Sequence, residues 1–290
     1  MTKMIKKTKV LSAIAAIGLA FSASAHAGLV NDVPSCYAAN HFKFQSAAPD
    51  KLIYVLIDQT VQLDPNLQQS VISNLNRMLG PKTKFVVAEF SAFSQGRYLN
   101  VLNTGIIEAP MTQDESSNIP LRQLPNFKSC MDGQAKFSVA LADKAANTAM
   151  QGATSSLDQS DIMSALQNVS SAIKSDPAKD KVLFLVTDGL ENSSVSSFYA
   201  NHIVRKIDPA AELQKAKAAD LMGDFGGAKV FVLGAGTLQP AKTGSKAARD
   251  GYRDPVTIHR LNDFWAGYFK GSNANLVEFG APALVTPLSY

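Results

Sequence analysis

From Lys51 onward, apolar runs alternate with amphipathic ones. LIYVLI at 52–57, VLFLV at 182–186 and VFVLGA at 230–235 are free of charged residues, and KFVVAEF at 84–90 is nearly so. Short apolar runs without alternation fit strands covered on both faces. RYLNVLNTGII at 97–107 alternates and predicts a further strand with one open face. Leu67, Val71, Leu75, Met78 and Leu79 recur at helical spacing behind Asp64-Pro65, which supplies an N-cap and a proline at the first helical position. This predicts a helix over 65–79, ended by Gly80-Pro81. Further amphipathic segments predict helices near 133–151, 160–174, 208–222 and 258–271. The resulting order implies parallel strands joined by crossover helices. The predicted fold class is α/β, with a doubly wound, mostly parallel central sheet flanked by helices. Neither a repeat nor a dividing boundary occurs within 51–290, which reads as one domain including its C-terminal helix and tail. Residues 28–50 read as an N-terminal extension, and 110–130 and 237–256 as long polar excursions, a kind of segment that is usually functional or tied down.

The first 27 residues have another character. MTKMIKKTK carries four lysines and no acid, VLSAIAAIGLAF follows as an apolar run, and Ala25-His26-Ala27 fits a cleavage site. That is the pattern of a secretory signal cut after Ala27. The apolar run is shorter than the about 20 residues a spanning helix needs. Later stretches do not span either, so the expectation is a periplasmic or secreted chain that does not span a membrane. The leader also accounts for the apparent basicity, because the chain has 28 Lys and Arg against 24 Asp and Glu. With those four lysines removed the charges balance, and net charge gives no reason to expect nucleic acid as a partner. Two cysteines are present, Cys36 and Cys130. Exported into an oxidising compartment, with neither a C-x-x-C spacing nor an adjacent histidine, they predict a disulfide.

Two apolar strands end on acids: Asp58 closes the first and Asp188 the fourth. In a doubly wound sheet, ligands sit beyond the carboxyl ends of the strands. Thr60 and Gln62 follow Asp58 at intervals of two, so a tight turn could aim three oxygen-bearing side chains at one point. Oxygen ligands with two carboxylates suit a hard cation such as Mg²⁺.

These residues resemble the von Willebrand factor type A domain and its metal-ion-dependent adhesion site. DQTVQ at 58–62 is similar to that family's D-x-S-x-S motif, and LVTDG at 185–189 to its strand ending in T-D-G. Ser160, the first residue of S-D-I-M-S-A-L, falls where the family has a lone threonine before a helix. The resemblance covers roughly 51–236. It implies a site for Mg²⁺ or Mn²⁺ built from Asp58, Thr60, Gln62, Ser160 and Asp188. Thr60 would coordinate directly, Ser160 directly or through water, and the two aspartates mainly through water. An open coordination position would accept an acidic side chain from another protein, which is capture and not catalysis. Gln62 departs from the family's second serine. A blocked site would leave a metal-free structural or assembly subunit of a cell-envelope complex.

Other chemistry finds less support. A phosphatase that uses an aspartate nucleophile would need a second acid where Thr60 stands. No G-x-S-x-G elbow or Walker A loop occurs, and His41, His202 and His259 are scattered. The chain is therefore expected not to be an enzyme, with a Mg²⁺-dependent phosphatase as the remaining enzymatic alternative. Phe264, Trp265, Tyr268 and Phe269 form a stripe that fits the core face of the last helix. Its alternative is an exposed aromatic patch that docks a partner.

Overall fold

The computed structural model describes residues 31–91, 99–154, 160–200, 203–237 and 254–288. The leader at 1–27, His202 and most of the excursion at 237–256 lie outside them. In chain order the elements are α1 (Cys36–Ala39), β1 (Lys51–Asp58), α2 (Pro65–Met78), β2 (Thr83–Phe90), β3 (Asn100–Ile107), α3 (Gln113–Ser117), α4 (Leu124–Gln151), α5 (Ile162–Ser175), β4 (Asp180–Val186), β5 (Tyr199–Ala200), β6 (Ile203–Val204), α6 (Pro209–Ala218), β7 (Ala228–Leu233), α7 (Pro255–Gly271) and β8 (Ala274–Gly280).

Six strands form one sheet in the order β3-β2-β1-β4-β7-β8, while β5 and β6 make a small hairpin. β1, the most continuously apolar strand, sits at the centre and pairs in parallel with β2 on one side and β4 on the other. β7 and β8 extend the parallel array. Only the β2–β3 pair within this sheet is antiparallel. This is the doubly wound α/β architecture expected.

Strand alternation sorts the core into two layers. Ile53, Val55 and Ile57 face α2 and α4, together with Phe85, Val87, Val182, Phe184 and Val186. Leu52, Tyr54 and Leu56 face α5 and α7, packing on Ile162, Leu166, Val169, Phe264 and Trp265. α2 starts where its punctuation placed it, with the Asp64 carboxylate accepting from the Asn66 and Leu67 amides. The aromatic stripe on α7 belongs wholly to this core. Phe264, Trp265, Tyr268 and Phe269 are all 1% exposed or less, so the partner-surface reading of these four residues is corrected. Large rings on one helical face were covered by the sheet and α5, as burial of that much apolar area favours.

Two elements depart from the sequence reading. β8 was absent from it, because ANLVEFG is short and follows α7 without a break in pattern. α4 begins at Leu124 and not near 133, so Cys130 lies on a helix. Its first turns lack a long apolar stripe and are held by other means. The Cys36–Cys130 disulfide forms as expected, and Tyr37, Phe42, Phe44 and Phe127 pack around it as a satellite cluster. Glu108, at the end of β3, accepts from the Cys36 amide, the Ser35 hydroxyl and the Gln134 amide of α4. The N-terminal extension is thereby stitched to both elements. The outer edge of β3 is closed by Asp32, whose amide donates to the Thr104 carbonyl and whose carboxylate accepts from the Thr104 amide.

Candidate functional site

β1 and β4 are neighbours, but the chain leaves them in opposite directions, toward β2 and toward β7. Their carboxyl ends therefore open onto a crevice at the switch in strand order. The register pairs Ile57 with Val186, the last residue of β4. Asp58 consequently lies beside Thr187, and the Thr187 hydroxyl donates to Asp58 Oδ2 at 2.8 Å. Thr60 returns toward the same residue through a tight turn. Its amide and hydroxyl donate to Asp58 Oδ1 at 2.9 and 2.7 Å. The Ser160 hydroxyl completes the group by donating to Oδ2 at 3.0 Å. Four donors thus hold a side chain that is 1% exposed.

Ser160 is brought in by the loop that follows β4. Ser160 and Asn192 exchange a pair of backbone hydrogen bonds, a one-rung antiparallel bridge between the segments that carry the second and third motifs. Asp188 Oδ1 accepts from the Leu190 amide, which holds the start of that loop in a tight turn. Gly189 stands at φ +70°, a left-handed conformation that favours glycine, and its carbonyl accepts from the Trp265 indole at 2.9 Å. The carbonyl of Asp188 accepts from the Gly236 amide, tying in the turn after β7.

The electrostatics follow from this packing. Burial raises the Asp58 carboxyl above the usual carboxylate range, and the hydrogen bonds from Thr60, Thr187 and Ser160 only partly oppose it. Asp188 is raised well above that range, first by burial and then by the negative charge of Asp58. Tyr199, on β5, is raised by its own burial and by Asp188, which places the hairpin close to the site.

Of the five residues expected here, Asp58, Thr60 and Ser160 are joined directly, and Asp188 faces Asp58 electrostatically. Gln62 is not among the donors to Asp58. It is exposed, and its amide donates to the Ala153 carbonyl at 3.4 Å. Thr187 was overlooked as a participant, although its hydroxyl stands in the quoted LVTDG. Its signal was its place opposite the residue after Ile57, which requires the register. Asn192 and Tyr199 carried no sequence signal at all.

Among the described residues no group of three or more His, Cys, Asp or Glu side chains could hold a metal ion. The centre offers two carboxylates, Asp58 and Asp188, and the hydroxyls of Thr60, Ser160 and Thr187, an all-oxygen set. That donor set fits a hard cation and does not fit zinc or copper. The mutual repulsion of the two acids is the charge a divalent cation would offset.

No protein-family model matches the chain. The search of curated proteins likewise gives no match. Solved structures with partial likeness include proximal thread matrix protein 1 of the mussel byssus, 14% identical over 78% of this chain and 49% of that one, at a TM-score of 0.32. The pilus adhesin SpaC from Lactobacillus rhamnosus GG is 14% identical over 77% of this chain and 30% of that one, at a TM-score of 0.34. The SpRpn10 VWA domain is 12% identical over 82% of this chain and 92% of that one, at a TM-score of 0.29. The chain thus spans about half of the first of these proteins and about a third of the second.

Proposed function

We propose that this chain is a non-catalytic protein-binding module of von Willebrand factor A type, which captures an acidic side chain of a partner protein at the crevice beyond β1 and β4. One observation carries the reading. The hydroxyls of Thr60 and Ser160 converge on buried Asp58, with a second carboxylate, Asp188, raised by its own burial and then by the charge of Asp58. These four residues would hold Mg²⁺ or Mn²⁺, with the two aspartates acting mainly through water. A bound cation supplies a positive centre with an open position for a carboxylate. Asp58 keeps the two hydroxyls in place, and Thr187 and the Thr60 amide keep Asp58 in place. Export to the periplasm or beyond is part of the proposal. It is supported by the Cys36–Cys130 bond and by the leader pattern at 1–27. Among the described residues no helix is long and apolar enough to cross a membrane.

The test is isothermal titration of Mg²⁺ and Mn²⁺ into the chelated protein, repeated with Asp58→Ala and Asp188→Ala. About one equivalent bound by the wild type and lost in both variants is expected. A folded wild type that takes up neither ion would overturn the metal-dependent reading. Turnover of an aryl phosphate with Mg²⁺ would overturn the non-catalytic one.

A further inference from the structure

Glu191 is a buried acid that the proposed site does not use. It lies in the loop after β4 and is 0% exposed. Its Oε2 accepts from the Met163 amide at 3.0 Å, in the first turn of α5. Its backbone carbonyl accepts from the Phe198 amide at 2.7 Å. Among the described residues Oε1 has no hydrogen-bond partner.

The contact with α5 makes up for a missing cap. Asp161 occupies the N-cap position of α5, but its side chain makes no capping bond there. Every helix leaves its first amides without partners, and a carboxyl in front of them is stabilising. Here that carboxyl comes from another segment. The next residue, Asn192, forms the bridge with Ser160, so residues 191 and 192 grip both sides of the junction between Ser160 and α5.

The surroundings disfavour a charge on Glu191. Asp161 faces it from the segment ahead of α5 and Tyr268 from α7, and no ion pair of Glu191 occurs among the described residues. An ionised carboxylate would also leave a charged Oε1 buried without a donor. Burial, reinforced by Asp161, pushes the carboxyl up to about 8, against the opposing influence of the Ser193 side chain and the first amides of α5.

We propose that Glu191 is a positioning residue for the crevice: it caps α5 from the opposite loop and thereby fixes Ser160 against Asp58. Its effect on the helix stands alone, whereas any effect on metal uptake rests on the function proposed above.

The sign of the pH dependence follows from the raised folded value. Stability contributed by the protonated form is complete below the ordinary glutamate range, declines as pH rises, and is gone above about 8. Glutamine has the shape of the neutral acid and does not titrate. Glu191→Gln should therefore melt with the wild type at pH 5 and above it at pH 9. In Glu191→Ala the Met163 amide should exchange with solvent at least tenfold faster at pH 6, and in Glu191→Gln at the wild-type rate. In a third arm, Mn²⁺ affinity should fall about tenfold in Glu191→Ala and recover in Glu191→Gln.

A melting difference between Glu191→Gln and the wild type that is the same at pH 5 and pH 9 would overturn the proposal. So would unchanged Met163 exchange in a folded Glu191→Ala. Should Glu191→Ala fail to fold, Glu191→Gln alone decides through its pH profile. Should the wild type bind no Mn²⁺, the metal reading falls, and the melting and exchange arms still judge Glu191.

Discussion

Trp265→Phe tests whether the floor of the crevice depends on the last helix. Trp265 is the single tryptophan of the chain and is 1% exposed. Its indole donates to the Gly189 carbonyl at 2.9 Å, directly behind Asp188. Phenylalanine keeps a ring in the core but shortens it and removes the donor. A residual void of about 40 Å³, at about 24 cal/mol per Å³, costs about 1 kcal/mol. The buried carbonyl left without its partner costs about 1–1.5 kcal/mol more. The expected loss is about 2–2.5 kcal/mol, or a Tm lower by about 5–8 °C for a domain of this size. Urea unfolding followed by circular dichroism measures it, since the variant has no tryptophan fluorescence. A loss below about 0.5 kcal/mol would refute the reasoning, because neither the void nor the carbonyl would then matter. Mn²⁺ affinity in the same variant should fall as well, since Gly189 adjoins Asp188.

Replacing both Cys36 and Cys130 by serine opens a crosslink of sequence separation 94 and should cost about 4–5 kcal/mol by the chain-entropy estimate, read by urea unfolding of oxidised wild type against the variant. Gly105→Ala should destabilise by about 2 kcal/mol or more, because its Cβ would meet Phe85 Cζ at 2.2 Å inside a packed layer; an unchanged Tm would contradict this. Burial raises Asp143, paired with the Asn76 amide between α4 and α2. With the folded value above the unfolded one, its stabilising effect is present below the ordinary aspartate range and lost as pH rises. Asp143→Asn should therefore gain in Tm relative to the wild type between pH 4 and pH 7, and a gap independent of pH would count against the assignment.

Local chemistry determined much of the architecture. Unbroken apolar runs fixed β1, β4 and β7 as covered strands. Asp64-Pro65 set the start of α2 because capping and proline geometry act within one turn of chain. The cysteine count and spacing pointed to the disulfide. For the crevice, the order of three short motifs placed Asp58, Thr60, Ser160 and Asp188 at one edge, since each follows or precedes an element that the pattern defines.

Other features needed the third dimension. Whether Phe264 and Trp265 face core or solvent depends on what covers α7, and helical spacing is silent on that. β8 is a strand because β7 offers it a hydrogen-bonding edge. Thr187 reaches Asp58 only through the parallel register of β1 with β4, a relation between residues 129 apart in sequence. Gln62 was grouped with Asp58 by spacing, but its amide turns to the Ala153 carbonyl. Sequence determined which elements form and which residues end them, because propensity and burial act locally. Tertiary structure decided which of those ends meet, because side-chain convergence is set by strand order, register and the packing of distant helices.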